Sequence, residues 1–264
     1  MKQTHLIKLV GTLVIASIIS LGVFGYGQNS NAASQIDRSM YIWSSAFDNY
    51  STTAIRKYLV RNDISTVFVS ATNKPAFKKL LPELAKKNIQ VEVLIGNNSL
   101  LTNSDPKEYL DNLLSGIDTQ KIKAIHLDIE PHARSSFSDF HERESYYFDL
   151  YLDLLREARD YADNHDLELS VDIPTFYPDY VLDGVYTYAD TVYVMAYEIT
   201  NMNTLKSRTS QELERDEHRT VIALRANDFA TRSKFETYLQ NASSKLSINS
   251  FAMHDLKRFM MLDN

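Results

Sequence analysis

Eight short β-rich runs, each followed by a helical stretch, limit what this 264-residue chain can fold into. The predicted strands cover residues 40–43, 66–71, 90–96, 124–130, 168–174, 191–197, 220–227 and 248–254. Amphipathic segments lie between them, including residues 74–88, 105–114, 140–164 and 233–241. Strict alternation of strand and helix predicts parallel strands joined by right-handed helical crossovers. Eight such units in roughly 230 residues predict the α/β class and a single (β/α)8 TIM barrel.

A doubly wound open sheet is the alternative architecture for this alternation. Such a sheet seldom needs eight evenly spaced units, and its first turn is usually rich in glycine. The whole chain has seven glycines, and we find no linker, repeat or low-complexity segment that would divide it. We therefore expect one barrel domain over residues 34–264.

The first 33 residues are predicted to be a secretory signal peptide rather than part of the barrel. A basic start that includes Lys2 and Lys8 is followed by an uncharged apolar run over residues 9–26. Small residues then offer a cleavage site after Ala32 or Ala33. The alternative is an uncleaved anchor helix, because the apolar run is long for a signal peptide. Both interpretations predict a protein that is secreted, periplasmic or held at the cell surface.

The net charge of the mature chain limits the classes of molecule that the protein is expected to bind. Removal of residues 1–33 removes two lysines and no acids, which takes the formal net charge from −6 to −8. An acidic surface argues against nucleic acid and against anionic membranes, apart from a possible uncleaved anchor. The 16 tyrosines and 12 phenylalanines offer stacking surfaces for sugars, although most aromatic side chains fill cores. We expect a monomer that needs no cofactor.

Strand alternation predicts which side chains enter the barrel, because successive side chains point to opposite faces. In the fourth strand Ile125, Leu127 and Ile129 fall on the face that packs against helices. The inward face of strands three to seven is unusually polar; it carries Glu92, His126, Asp128, Glu130, Ser170, Asp172, Tyr193, Met195, Tyr197 and Arg225. Apolar side chains ordinarily fill a barrel, and buried ionisable groups are costly unless paired. This pattern therefore indicates a catalytic site.

Asp128 and Glu130 are the centre of that predicted site. They lie two positions apart on one strand face, so their Cβ atoms should be roughly 6.5–7 Å apart. Two carboxyl groups this close cannot both ionise cheaply, and one pKa is expected to rise into a range useful for a general acid. Glu130 should face the cleft at the strand tip, while Asp128 orients it from one layer deeper. His126, lower again, is the expected hydrogen-bond partner of Asp128.

A metal centre is the competing interpretation of these acids and histidines. His126, His132, Asp128 and Asp172 have suitable donor atoms, but their positions follow no known spacing of metal ligands. We therefore predict no metal ion and no other cofactor.

Two motifs resemble those of family 18 glycoside hydrolases, the chitinase-like barrels. Residues 123–130, KAIHLDIE, are similar to the signature D-G-x-D-x-D-x-E, with Lys123 and His126 in place of its first two acids. Residues 195–198, MAYE, resemble the family motif M-x-Y-D on strand six. The family's tryptophan on strand eight has no counterpart, since Met253 and His254 stand there.

The resemblance implies a role for each matching residue. Glu130 would protonate the glycosidic oxygen, and Asp128 would orient an N-acetyl group whose carbonyl oxygen attacks the anomeric carbon. Tyr197 would hydrogen-bond the same acetamido group. Such substrate assistance needs one protein acid and no protein nucleophile. The residues expected to bind the oligosaccharide or polysaccharide substrate around them are Trp43, His126, Asp172, Met195, Glu198 and Arg225.

Several functions remain open from the sequence. The leading hypothesis is a secreted glycoside hydrolase that cleaves an N-acetylamino-sugar polysaccharide. A glycosidase with two protein carboxylates is the first alternative, with Glu130 as acid and Glu198 or Asp172 as the second group. A barrel that binds carbohydrate without turnover is another, and a scaffold or interaction protein is the last.

Overall fold

The computed structural model describes residues 35–103, 105–133 and 137–263, so the predicted signal peptide lies outside the described residues. Eight parallel strands form a closed barrel in sequence order, and the eighth pairs with the first. The predicted (β/α)8 fold is confirmed. The strands are β1 (Asp37–Ile42), β2 (Ile64–Ser70), β3 (Gln90–Ile95), β4 (Ala124–Leu127), β5 (Glu168–Pro174), β6 (Thr191–Met195), β7 (Thr220–Arg225) and β8 (Ser250–His254).

Helices alternate with the strands and surround the barrel. They are α1 (Ala46–Asn49), α2 (Thr52–Arg61), α3 (Lys74–Ala85), α4 (Pro106–Leu114), α5 (Phe137–Glu142), α6 (Glu144–Asp163), α7 (Asp179–Tyr188), α8 (Met202–Asp216), α9 (Arg232–Leu246) and α10 (Leu256–Leu262). Ser51, Asp105 and Thr231 each accept a hydrogen bond from a backbone N–H of the first turn. These caps satisfy donors that a helix start leaves free. The amphipathic segment expected over residues 140–164 contains the end of α5 and all of α6, which are separated by Arg143, where the chain leaves the helical conformation.

Two apolar layers follow from the alternation along each strand. The outer layer lies between strands and helices and contains Ile125, Leu127 and Ile129, as predicted. The inner layer fills the barrel; its members are Tyr41, Phe68, Leu94, Tyr193, Val221, Ala223 and Ala252, with Trp43 and Tyr197 partly buried against them. Within the described residues, no helix is long and apolar enough to cross a membrane.

The early ends of β4 and β6, relative to the sequence prediction, set the position of the site. The β4 strand was expected to reach Glu130 but ends at Leu127. The Asp128 N–H still bonds to the Ile95 carbonyl at 3.0 Å, whereas the Glu130 N–H donates to Asn98 Oδ1 at 2.8 Å. A 3-10 helix, Pro131–Ala133, then turns the chain away. The β6 strand likewise ends at Met195, two residues before Tyr197. Asp128, Glu130 and Tyr197 therefore lie just beyond the carboxyl ends of their strands.

Candidate active site

A buried polar network occupies the middle of the barrel. The His126 ring lies between β3 and β5, with Nδ1 2.8 Å from Ser170 Oγ and Nε2 2.9 Å from Asp172 Oδ2. Ser170 also donates to Glu92 Oε2 at 2.5 Å, and the Tyr41 hydroxyl donates to the other Asp172 oxygen. The expectation that His126 bonds Asp128 is wrong, since both of its ring nitrogens are directed at residues of neighbouring strands.

This network contains two buried carboxylates and balances them with cations. Burial alone would lower the pKa of His126, but its contacts with Asp172 and Glu92 raise it to about 9. Burial opposes ionisation of Glu92, yet His126, Lys123 and Ser170 hold its pKa below the usual range. The Lys123 ammonium lies 3.5 Å from Glu92 at the amino end of the barrel. His126 is therefore an imidazolium at neutral pH, paired with acids on both sides.

Asp128 and Glu130 lie above this network and differ sharply in environment. Burial raises the pKa of Asp128 well above its ordinary value, and the charges of Asp172 and Glu130 raise it further. Asp128 Oδ1 is buried and has no hydrogen-bond partner. The Glu130 side chain is 31% exposed, and its Oε2 lies 2.9 Å from His132 Nε2. The sequence predicts a raised pKa for one acid of the pair, and in the structure the pKa of Asp128, the inner acid, is raised.

An aromatic wall closes the opposite side of the barrel mouth. The half-buried Trp43 follows β1, and its indole N–H donates to His254 Nε2 at 3.1 Å. The Trp43 ring lies directly over Gly96, where a Cβ atom would be 2.6 Å from Trp43 Cη2. The Tyr197 ring centroid is 5.3 Å from that of His254. Burial raises the pKa of Tyr197, and Asp172, Asp128 and Glu130 add to the rise, so its hydroxyl lies near all three acids.

Arg225 and Glu198 form an ion pair at the rim of the barrel mouth. Arg225 Nη2 contacts Glu198 Oε1 at 2.9 Å and Asp228 Oδ1 at 2.7 Å. The Glu198 side chain is 78% exposed. Its backbone N–H donates to Asp228 Oδ2 at 2.7 Å, and its φ is positive, at 61°. Arg225, expected on the inward face of strand seven, ends β7 with its guanidinium 5.7 Å from the centre of the Tyr197 ring. Met195 is half-buried at the end of β6.

Three side chains of the site were missed by the sequence analysis. Tyr41 follows from the alternation along β1, which also directs Trp43 inward. Tyr177 and Phe176 follow β5 directly, at the same edge as Glu130. Phe176 is 53% exposed, and its ring centroid is 5.1 Å from that of His132. No strand pattern covers residues 175–178, so only proximity in the fold reveals them.

Among the residues that the structure describes, no three His, Asp or Glu side chains are arranged to hold a metal ion. The short contacts that His126 makes with Asp172 and Ser170 are hydrogen bonds within the protein.

Acids gathered at the carboxyl ends of parallel barrel strands, beside exposed aromatic rings, define an enzyme of the TIM-barrel class. The sequence model of "Glycosyl hydrolases family 18" matches residues 22–253, and the chain belongs to this family. It is therefore a glycoside hydrolase of the chitinase type. A comparison with curated protein sequences gave no match.

Solved structures share the fold at very low sequence identity. The spore cortex-lytic enzyme SleL of Bacillus megaterium QM B1551 aligns with a TM-score of 0.60 and 10% identity, over 87% of this chain and 73% of that chain. The Ostrinia furnacalis Group IV chitinase in complex with allosamidin aligns with a TM-score of 0.52 and 13% identity, over 72% and 66% of the two chains. A Rhizomucor miehei β-1,3-glucanosyltransferase mutant in complex with laminaritriose aligns with a TM-score of 0.54 and 9% identity, over 82% and 86%. At these identities the likeness extends to the fold alone.

Proposed function

We propose that this chain is a secreted, retaining hydrolase of an N-acetylamino-sugar polysaccharide, with Glu130 as general acid and the substrate's acetamido group as nucleophile. The observation that carries the proposal is the contrast between Glu130, whose side chain is 31% exposed, and Asp128 beside it, one of whose carboxyl oxygens is buried without a partner. Glu130 can reach a glycosidic oxygen from the mouth of the barrel. Asp128 offers a buried oxygen without a partner, which is suited to orient the acetamido N–H.

The other acids of the site are poorly suited to act as a protein nucleophile. One Asp172 oxygen accepts from Tyr41 and the other contacts His126, so both are engaged. The Glu198 carboxylate is mostly exposed and ion-paired with Arg225. A carboxylate held in such bonds must give them up before it can attack carbon. These contacts favour substrate assistance over the alternative with two protein carboxylates.

The proposed reaction has two steps. In the first, Glu130 donates its proton to the leaving glycosidic oxygen while the C1–O bond breaks. The acetamido carbonyl oxygen bonds to C1 and gives a cyclic oxazolinium ion, with Asp128 and Tyr197 contacting the acetamido group. In the second, water attacks C1, the ionised Glu130 accepts its proton, and the acetamido group is restored with retained configuration.

The substrate class is tested with Glu130→Gln as the control. We expect the wild type to cleave N-acetylated chito-oligosaccharides or bacterial cell-wall glycan, and we expect the variant to be about 10²–10⁴-fold slower with an unchanged melting temperature. A de-N-acetylated oligosaccharide should bind without turnover. A thiazoline analogue of the cyclic intermediate should inhibit, because it resembles the transition state more than the substrate does. Efficient cleavage of a polymer without N-acetyl groups would contradict substrate assistance, and binding without cleavage of any glycan would favour a carbohydrate-binding barrel.

Export is part of the proposal. A signal peptide typically has a basic start, then an apolar run, then small residues, and residues 2–33 follow this order. Mass spectrometry of the protein recovered from the growth medium should give a chain that begins at Ala33 or Ser34. A full-length chain in the membrane fraction would support the anchor instead.

A further inference from the structure

Four buried polar atoms without a hydrogen-bond partner belong to Asp128 or to residues that interact with Asp128 or Glu130. They are Asp128 Oδ1, His132 Nδ1, and the hydroxyls of Tyr151 and Tyr177. Tyr151 extends from α6 with no exposed surface, and Tyr177, in the segment after β5, is 2% exposed. The two phenol rings lie together, with centroids 5.9 Å apart.

Ring contacts connect Tyr177 with the acids of the site, since its ring is 5.9 Å from that of Phe176, whose ring is 5.1 Å from that of His132, the partner of Glu130. Electrostatic interactions point the same way. Burial is the main reason that the pKa of Tyr151 is raised, and the Asp172 and Asp128 carboxyls add to it. Burial also leads the rise in the pKa of Tyr177, with additions from Tyr151, Glu130 and Asp128. Both hydroxyls therefore lie within electrostatic reach of Asp128, and that of Tyr177 lies within reach of Glu130 as well.

A buried hydroxyl without a partner weakens a fold, because it has lost its bonds to water and gained none in return. Phenylalanine would fill the same space without that loss. Elsewhere in the described residues the chain satisfies its buried phenols. The Tyr186 hydroxyl, for example, lies 2.6 Å from Thr220 Oγ1 and 3.2 Å from the Glu212 carbonyl oxygen. Packing alone thus gives no reason for a hydroxyl at position 151 or 177.

We propose that Tyr151 and Tyr177 are specificity-determining residues that hydrogen-bond an uncharged polar substituent of the sugar held against Asp128 and Glu130. The inference rests on the proposed function and adds two residues to its site. A phenol both donates and accepts, so a hydroxyl or amide substituent is a suitable partner. A carboxylate substituent is excluded, because Asp172 and Glu130 would repel it in a corner where burial weakens screening.

The experiment compares Tyr151→Phe and Tyr177→Phe with a matched control, Tyr186→Phe. Melting temperature, kcat/KM on an N-acetylated chito-pentasaccharide, and affinity for the same sugar in a Glu130→Gln background are measured for each. The two site variants should melt no lower than the wild type, because the hydroxyl that they lose has no partner in the protein. Each should lose about three- to tenfold in kcat/KM and in affinity, as expected for one hydrogen bond. Tyr186→Phe should show the opposite pattern, with a lower melting temperature and unchanged kcat/KM.

The outcomes separate this inference from the proposed function. A lower melting temperature in Tyr151→Phe and Tyr177→Phe would show that the hydroxyls serve the fold, and it would overturn the inference whatever the substrate. Unchanged kcat/KM and affinity in both variants would overturn it as well, while hydrolysis by the wild type would still support the proposed function. If the wild type binds the pentasaccharide without cleaving it, the proposed hydrolysis fails and the affinity comparison alone decides the inference. Absence of binding by the wild type would overturn both.

Discussion

The substitution His126→Gln removes the buried cation that lies between two buried carboxylates. The His126 ring nitrogens are 3.4 Å from Glu92 Oε2 and 2.9 Å from Asp172 Oδ2, and all three side chains are fully buried. Glutamine keeps polar atoms at this position but carries no charge. Breaking a buried ion pair by removal of one partner typically costs about 3–5 kcal/mol. We expect the free energy of unfolding at pH 6 to fall by about that amount.

The pH dependence of stability is the more specific signature of this pairing. The fold raises the pKa of His126 from an ordinary value of 6.5 to about 9. A raised histidine pKa means that the native state favours the protonated form, so the stabilisation is complete below pH 6.5. It is lost as the pH rises through 9. The difference between the two pKa values corresponds to about 3 kcal/mol, at roughly 1.4 kcal/mol per pH unit.

Urea denaturation followed by circular dichroism between pH 6 and 9.5 measures this loss. Stability of the wild type should decline across that range, and the decline should be absent or much smaller in His126→Gln. Asp128→Asn is the matched control, because the raised pKa of Asp128 also makes the fold weaker as the pH rises. The nearby phenols Tyr41 and Tyr193 have pKa values raised above 10 and do not titrate in this range. Parallel curves for the wild type and His126→Gln would refute the assignment of a buried imidazolium.

Other substitutions test the remaining parts of the site. Asp128→Asn should lower the rate of hydrolysis and change its pH profile, because the substitution removes the Asp128 carboxyl and its electrostatic repulsion of Glu130. An unaltered rate and pH profile would remove Asp128 from the mechanism. Glu198→Gln should leave kcat/KM within about threefold, because the carboxylate is exposed and paired with Arg225, where such pairs contribute little; a loss as large as that of Glu130→Gln would support the two-carboxylate alternative. Gly96→Ala should displace the Trp43 ring and reduce affinity for oligosaccharides at a cost of about 1–3 kcal/mol in stability. Gly184→Ala, whose Cβ would meet Leu152 Cδ2 at 2.5 Å on the outer surface of the barrel, is its control and should lose stability without losing affinity.

The architecture and the inward-facing residues could be predicted because they depend on short-range periodicity. Each strand carries an alternating pattern of its own, so the inward positions of His126, Asp172 and Tyr193 follow from sequence without knowledge of the neighbours. The number of strands and the helices between them then leave few topologies. The same alternation places Tyr41 inward, but the strand predicted over residues 40–43 contains no acid that would indicate a site there.

The contacts between strands could not be predicted in the same way. Asp128 lies two residues from His126 in sequence, yet His126 bonds Ser170 and Asp172 because the strands of a closed barrel are staggered. The early end of β4 depends on Asn98, which lies in a 3-10 helix after β3 and binds the Glu130 N–H. Tyr151, which we propose as part of the site, belongs to a helix of the outer layer. Each of these facts requires the three-dimensional register, which no single segment of the sequence contains.

The replacement of an acid by His126 in the family signature has a consequence for its neighbour, Asp128. Two buried carboxylates, Glu92 and Asp172, lie below Asp128, and the two cations that contact them are His126 and Lys123. The charges of this group therefore already balance, and no described cation contacts the Asp128 carboxyl. Ionised Asp128 would add an uncompensated negative charge next to Asp172 in a buried environment, which is why its pKa is raised so strongly. The neutral form of Asp128 is therefore favoured, while Glu130, half-exposed and next to His132, can exchange protons with substrate and water. The division of labour between the two acids follows from charge balance inside the barrel, and His126, which contacts neither of them, maintains it.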